Sequence, residues 1–144
     1  MKKKVGRPRN LNNPEELQEL FDKYKADVKA NPRIKSVFGG KEFEERAEPL
    51  ERPLTMEGFE LFCYKEVGCV EDYFKNTDKR YTEFTPICTR IRKAIRQDQI
   101  EGGMVGQYNP SITQRLNGLT EKVESTIITE QPLFPDVQEN DSNK

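Results

Sequence analysis

The sequence predicts a mainly α-helical protein. It places an N-terminal helix-turn-helix domain before a helical hairpin suited to oligomerisation, with a small β-hairpin and a short C-terminal strand beside them. Three observations predict this. Apolar residues recur at helical spacing over 17–28, 84–100 and 112–119. Capping residues stand directly before proline at Asn13-Pro14, Thr85-Pro86 and Asn109-Pro110, the usual opening of a helix. Gly68 separates two short helical segments, the spacing of a helix-turn-helix unit.

The first helix is capped by Asn13, and Glu15 and Glu16 suit the positive end of its dipole. Leu17, Leu20, Phe21, Tyr24 and Val28 form one core stripe, which Asn31-Pro32 ends. Residues 33–53 read as a weak β-hairpin or an extended connection, with Ile34, Val37 and Phe38 ahead of a Gly39-Gly40 turn. Thr55 caps the next helix, in which Phe59, Phe62 and Cys63 share a face. After the turn at Gly68, a short helix from Cys69 to Asn76 is anchored by Tyr73 and Phe74. A third helical block opens at Thr85-Pro86, which reads as a cap and a first helical residue. Ile87, Ile91, Ala94 and Ile95 give its apolar face. Gly102 and Gly103 weaken the end of this helix and allow close helix approach. A final helix follows Asn109-Pro110 and closes at Gly118, a C-cap glycine. The expected organisation is a basic arm over 1–12, a helix-turn-helix domain over 13–82 with its insert at 33–53, an oligomerisation hairpin over 83–119, and an acidic tail over 120–144.

Composition narrows the function. Of 144 residues, 33% are hydrophobic and 34% charged. Counting glycine, the apolar share is roughly 39%, below the usual 45–50%, so part of the chain is expected to be disordered or buried against other copies. The absence of histidine excludes Ser–His and Cys–His nucleophile pairs and histidine metal sites. No apolar run approaches the 18 residues or so of a membrane span, and the basic start lacks the apolar stretch of a signal peptide. Cys63, Cys69 and Cys88 are odd in number and show no C-x-x-C spacing, so reduced thiols in a cytosolic protein are expected. No metal and no cofactor is expected.

The net charge of −1 hides an uneven distribution. Lys2, Lys3, Lys4, Arg7 and Arg9 face no acid over residues 1–9. Residues 41–60 hold seven acids against three bases, and 121–144 hold six against Lys122 and Lys144. A basic arm with an acidic tail suits a protein that handles a polyanion at one end. Val5-Gly6-Arg7-Pro8-Arg9 has the logic of a minor-groove peptide: glycine permits close approach, proline keeps the chain extended, and arginine seeks negative potential. The residues leave three readings: groove insertion, looser phosphate contact, and no contact with DNA.

Lys75, Asn76, Lys79 and Arg80 are weaker DNA-binding candidates at the far end of the second helix-turn-helix segment. Glu71 and Asp72, in its first turn, repel phosphate. Arg90, Arg92, Lys93 and Arg96 line a channel or rim, or form a solvated face, which is the favoured reading. Ile87, Ile91, Ala94, Ile95, Met104, Val105, Ile112 and Leu116 are the candidate oligomer contacts. Leu133, Phe134 and Val137 form an apolar island between prolines, either a docking peptide or a strand that folds back.

Taken in order, several segments carry a resemblance. They are Val5-Gly6-Arg7-Pro8-Arg9, Asn13-Pro14-Glu15-Glu16-Leu17, Arg52-Pro53-Leu54-Thr55-Met56-Glu57-Gly58-Phe59, Val67-Gly68, the run from Glu101 to Ile112, and Arg115-Leu116-Asn117-Gly118-Leu119. The set, spanning about residues 5–122, resembles the terminase small subunits, the DNA-packaging proteins of tailed phages and prophages. That resemblance implies a protein without catalytic activity that acts in the host bacterial cytoplasm. It implies binding of double-stranded viral DNA at the packaging-initiation region, assembly into a homo-oligomeric ring, and delivery of DNA to the large terminase subunit, the ATPase and nuclease. Residues 54–80 then correspond to the DNA-binding helices, 84–119 to the oligomerising hairpin, and 120–144 to a segment that contacts the large subunit or the portal. The residues alone leave a rival, a small helix-turn-helix transcriptional regulator acting as a dimer on a palindrome. A magnesium nuclease built on Glu44, Glu45 and Glu48 lacks a paired base or lysine at a recognisable spacing.

Overall fold

The computed structural model of the chain describes residues 8–119. Five α-helices and one antiparallel β-hairpin succeed one another: α1 Pro14–Ala30, β1 Arg33–Gly39, β2 Glu44–Leu50, α2 Met56–Glu66, α3 Glu71–Lys75, α4 Thr85–Met104 and α5 Pro110–Leu116. Two single-turn 3-10 helices, Thr77–Lys79 and Thr82–Phe84, link α3 to α4.

Local chemistry sets most of the boundaries. The Asn13 side chain accepts from the Glu16 backbone N–H at 3.0 Å, and the Glu16 carboxylate accepts in return from Asn12 N–H at 3.0 Å. One orphan donor at the start of α1 is thereby satisfied, and the residue before the cap is tied to the first turn. Thr55 does the same for Gly58 N–H in α2, and Asn109 for Ile112 N–H in α5. Thr85 differs from its expected role. The 3-10 turn ending at Phe84 runs straight into α4, so Thr85 is the first residue of that helix and caps nothing.

Phe59 is the centre of the core. It is fully buried and meets Phe21 edge-on at 5.3 Å between ring centroids and Phe74 edge-on at 6.1 Å. The stripe of α1 closes one side of this cluster, and Cys88, Ile91 and Ile95 of α4 close the other. The first half of α4 therefore belongs to the same core as α1–α3, and only its last turn and α5 project. The apolar stripe of α4 packs across the expected boundary at 82–83.

The hairpin pairs Arg33 with Leu50 and Gly39 with Glu44. Its loop is Gly40–Phe43, one residue later than the expected Gly39-Gly40 turn. Ile34, Phe38 and Phe43 are exposed, and the two strands pack on each other rather than on the helices. Pro49 is tolerated because each strand of a two-stranded sheet is an edge.

Leu11 is almost wholly buried, and its N–H donates to the Tyr73 hydroxyl at 3.0 Å. Residues 8–12 are thus packed on the body, and the expected arm over 1–12 ends earlier than its sequence suggests. Lys2, Lys3, Lys4, Arg7, the short C-terminal strand and the docking residues Leu133, Phe134 and Val137 lie outside the described residues.

Candidate nucleic-acid interface

The cations predicted to bind DNA fall into two groups in the folded chain. Arg9 and Arg80 gather around Tyr81, with Lys79 next to Arg80 in the chain. The Arg9 guanidinium donates to the Glu83 carboxylate and to the Arg80 carbonyl, and lies 5.4 Å from the centre of the Tyr81 ring. The Arg80 guanidinium lies 5.7 Å from the same ring. An aromatic face holding two guanidinium groups fixes them in place while Lys79 and Arg80 stay exposed. The sequence separates Arg9 from Arg80 by 71 positions; the fold makes them neighbours.

The second group is spent on structure. Lys75 is ion-paired to Glu71 one helical turn earlier. Asn76 adopts a left-handed backbone at φ 49°, which asparagine tolerates better than most residues. Its side-chain oxygen accepts from Tyr81 N–H at 2.9 Å and its amide donates to the Thr82 hydroxyl at 3.3 Å. Asn76 closes the α3–α4 loop, with one donor and one acceptor of its amide engaged there.

Helix α4 supplies a longer cationic surface. Arg92 donates to the Phe74 carbonyl at 2.9 Å and stacks 5.2 Å from the Phe74 ring, tying α4 to the end of α3. Arg90, Lys93 and Arg96 are exposed, and none has an acidic partner among the described residues. At 1.5 Å per residue, Arg90 to Arg96 extends along about 9 Å of helix.

The front of α3 is acidic, as the sequence suggests. Helix α3 has only five residues, too few to lie along a major groove, and Glu71 and Asp72 open it. Glu57 and Glu60 of α2 stand beside it. Burial pushes the Glu60 carboxyl up, and the neighbouring Glu71 and Glu57 charges push it further. Helices α2 and α3 follow each other across Gly68, and their front carries charge that repels phosphate.

At the far end of α4, Gly102 and Gly103 stay within the helix rather than ending it. A methyl group on Gly102 would come within 2.1 Å of the Tyr108 ring, and one on Gly103 within 2.9 Å of Thr113. These glycines admit the loop and α5 against α4. The Tyr108 hydroxyl donates to Asp98 at 3.3 Å, and Lys29 bridges Asp98 at 2.7 Å, Glu51 at 2.8 Å and Tyr108 at 2.9 Å. Burial lowers the Lys29 pKa, but its bonds to Asp98, Glu51 and Tyr108 outweigh that and raise it above the ordinary lysine value.

Of the eight predicted oligomer contacts, Ile91 and Ile95 lie inside the protomer's own core, with Ile87 and Ala94 packed against it. Within the single chain that face of α4 packs toward α1 and α3. Met104 at 81% and Val105 at 76% exposure, with Ile112, Leu116 and Leu119, remain uncovered at the α4–α5 tip. A cavity of about 600 Å³ opens there between Ile100, Met104, Pro110, Thr113 and Leu119.

Among the described residues no cluster of three or more Cys, Asp or Glu side chains is placed to hold a metal ion, and no helix is long and apolar enough to cross a membrane. Sequence reading missed Leu11, Tyr81, Glu83 and the Lys29–Asp98 pair. Leu11, a lone leucine directly after the basic run, was the one available signal. No curated protein matches the chain. A family model described as DNA-packaging protein gp3 matches residues 6–125.

Proposed function

The chain belongs to the DNA-packaging protein gp3 family, and with phage DNA packaging as its setting we propose that it is a terminase small subunit acting in the host bacterial cytoplasm. It binds double-stranded viral DNA at the packaging-initiation region, assembles into a homo-oligomeric ring, and delivers the duplex to the large terminase subunit, with its tail reaching that subunit or the portal. It performs no chemistry of its own; the ATPase and nuclease steps belong to the large subunit.

The observation that carries this reading is the uncovered apolar tip. Met104 and Leu119 border one cavity of the hairpin, Ile112 and Leu116 border another beside Pro53 and Thr55, and all four stay exposed together with Val105; exposed apolar side chains gathered on one hairpin mark an interaction site. A second copy covers it, and repetition of the contact closes a ring. Each protomer grips DNA weakly through its arm and the Lys79, Arg80, Arg90, Lys93 and Arg96 cations. The five charges over residues 1–9 would alone give a salt slope of about −4.5 if all met phosphate. Several protomers on one ring multiply that grip through effective concentration, so no single copy needs a strong base-reading helix.

Light scattering combined with duplex binding at two salt concentrations tests this. The expected result is a mass many times 16.8 kDa and binding that weakens steeply with salt. A mass near twice the protomer with tight binding to one palindrome would favour the transcriptional regulator instead.

A further inference from the structure

The motif's acidic front is not empty of chemistry. A groove of about 370 Å³ runs between α2 and the start of α3, lined by Glu57, Glu60, Leu61, Tyr64, Cys69 and Glu71. Leu61 and Tyr64 are about two-thirds exposed. Glu71 is paired with Lys75, but Glu57 and Glu60 have no cationic partner within ion-pair distance among the described residues. Apolar floor and anionic walls together fit a short basic peptide.

The first residues described emerge on the rim of this groove. The Asn10 amide donates to the Cys69 carbonyl at 2.8 Å and sits over Gly68, where a methyl group would approach it to 3.1 Å. Pro8 and Arg9 lie beside Cys69 and Asp72. Counting back from Asn10, Lys4 is six residues away, a reach of about 20 Å when extended. The groove from Glu57 to Tyr64 extends along about 10 Å of helix. The segment Lys2-Lys3-Lys4-Val5 has the charge and the apolar residue that the groove asks for.

We propose that, without DNA, residues 2–5 of the same chain occupy the α2–α3 groove, and that a duplex draws them out. The acidic face of the helix-turn-helix unit is then a resting place for the arm and a competitor for it. Weak DNA such as a short random duplex leaves the arm seated; DNA that engages several protomers at once releases it. The competition rests on the proposed DNA-binding role, whereas occupancy of the groove does not.

The test uses the full-length protein and a short thiol-to-amine cross-linker. Cys69 is exposed, whereas Cys63 and Cys88 are buried and their thiols are pushed up to about 12 and about 11 by burial, so the reagent reacts at Cys69. Peptide mapping is expected to find Cys69 joined to Lys2, Lys3 or Lys4 of the same chain. The double variant Glu57→Gln/Glu60→Gln should lower that yield about fivefold, the equivalent of two exposed ion pairs, and excess duplex should lower it similarly. The same variant should bind duplex more tightly, a gain that disappears when Lys2, Lys3 and Lys4 are also changed to Gln. Yields unchanged by Glu57→Gln/Glu60→Gln would overturn the proposal, since tethering alone then explains them. Cross-links only between chains would overturn same-chain occupancy. Cross-links that form normally in a protein that binds no duplex would uphold the groove and sink the DNA-binding role.

Discussion

Ile91 and Met104 lie on one helix, thirteen positions apart, and meet opposite fates. Ile91 is fully buried against the aromatic cluster, whereas Met104 is 81% exposed. The body of the molecule, from Leu11 to Ile95, closes its own core around Phe59. The α4–α5 tip is ordered by specific contacts, with Gly102 on Tyr108 and Lys29 on Asp98, yet leaves its apolar side chains uncovered. The difference separates two kinds of order. The body is held by burial. The tip is held by close backbone approach and polar bonds, so its apolar surface is available to another copy.

Breaking the body should have the largest effect. Phe59→Ala removes the ring that Phe21, Tyr24 and Phe74 pack against, and chemical denaturation should show a loss of about 3–5 kcal/mol. Assembly should be lost with it. Breaking the tip should have a smaller and more selective effect. Gly102→Ala gains up to about 1 kcal/mol of helix propensity but drives a methyl into the Tyr108 ring. A net cost of about 1–3 kcal/mol confined to the hairpin is expected. Light scattering should report dissociation while the near-ultraviolet signal of the body persists.

Changing the exposed α4 cations should disturb neither region. Arg90→Gln, Lys93→Gln and Arg96→Gln together should leave stability within about 0.5 kcal/mol and leave assembly intact. If all three meet phosphate, the salt slope of duplex binding should fall by about 2–3 per protomer. A fully solvated face predicts no change.

The smallest effect concerns Glu60. Its carboxyl holds a proton more readily in the folded chain than in the unfolded one. Lowering the pH through that raised value therefore favours the fold, and the ionised form costs stability above it. In protein whose Lys2, Lys3 and Lys4 are changed to Gln, so that no arm cation reaches it, Glu60→Gln is expected to raise the melting temperature slightly at neutral pH, with the difference vanishing in acid.

The legible parts of this molecule are local. Asn13, Thr55 and Asn109 act within three residues of themselves, and a spacing rule captures that. The stripe of α1 is legible because its period is its geometry. Gly118 closes α5 in a left-handed conformation at φ 64°, as its place in the sequence suggests. The unread parts depend on partners far along the chain. Lys29 meets Asp98 across 69 positions and Arg9 meets Glu83 across 74, and no pattern around those residues identifies the other. Asn76 is a weaker DNA-binding candidate in the sequence, and nothing near it in the sequence announces its left-handed backbone or its two loop bonds. Ile91 and Ile95 were legible as apolar but not as already taken. Periodicity shows which face of a helix is buried, and it does not distinguish a core within one chain from a contact between two.

The double variant Ile112→Glu/Leu116→Glu, compared with the unchanged protein by sedimentation, tests most directly whether the exposed α5 residues gather the copies. Both side chains are exposed in the protomer, so its fold should melt as before. The account predicts a single-protomer mass for the variant beside a many-protomer mass for the original. Equal masses for the two proteins would contradict it.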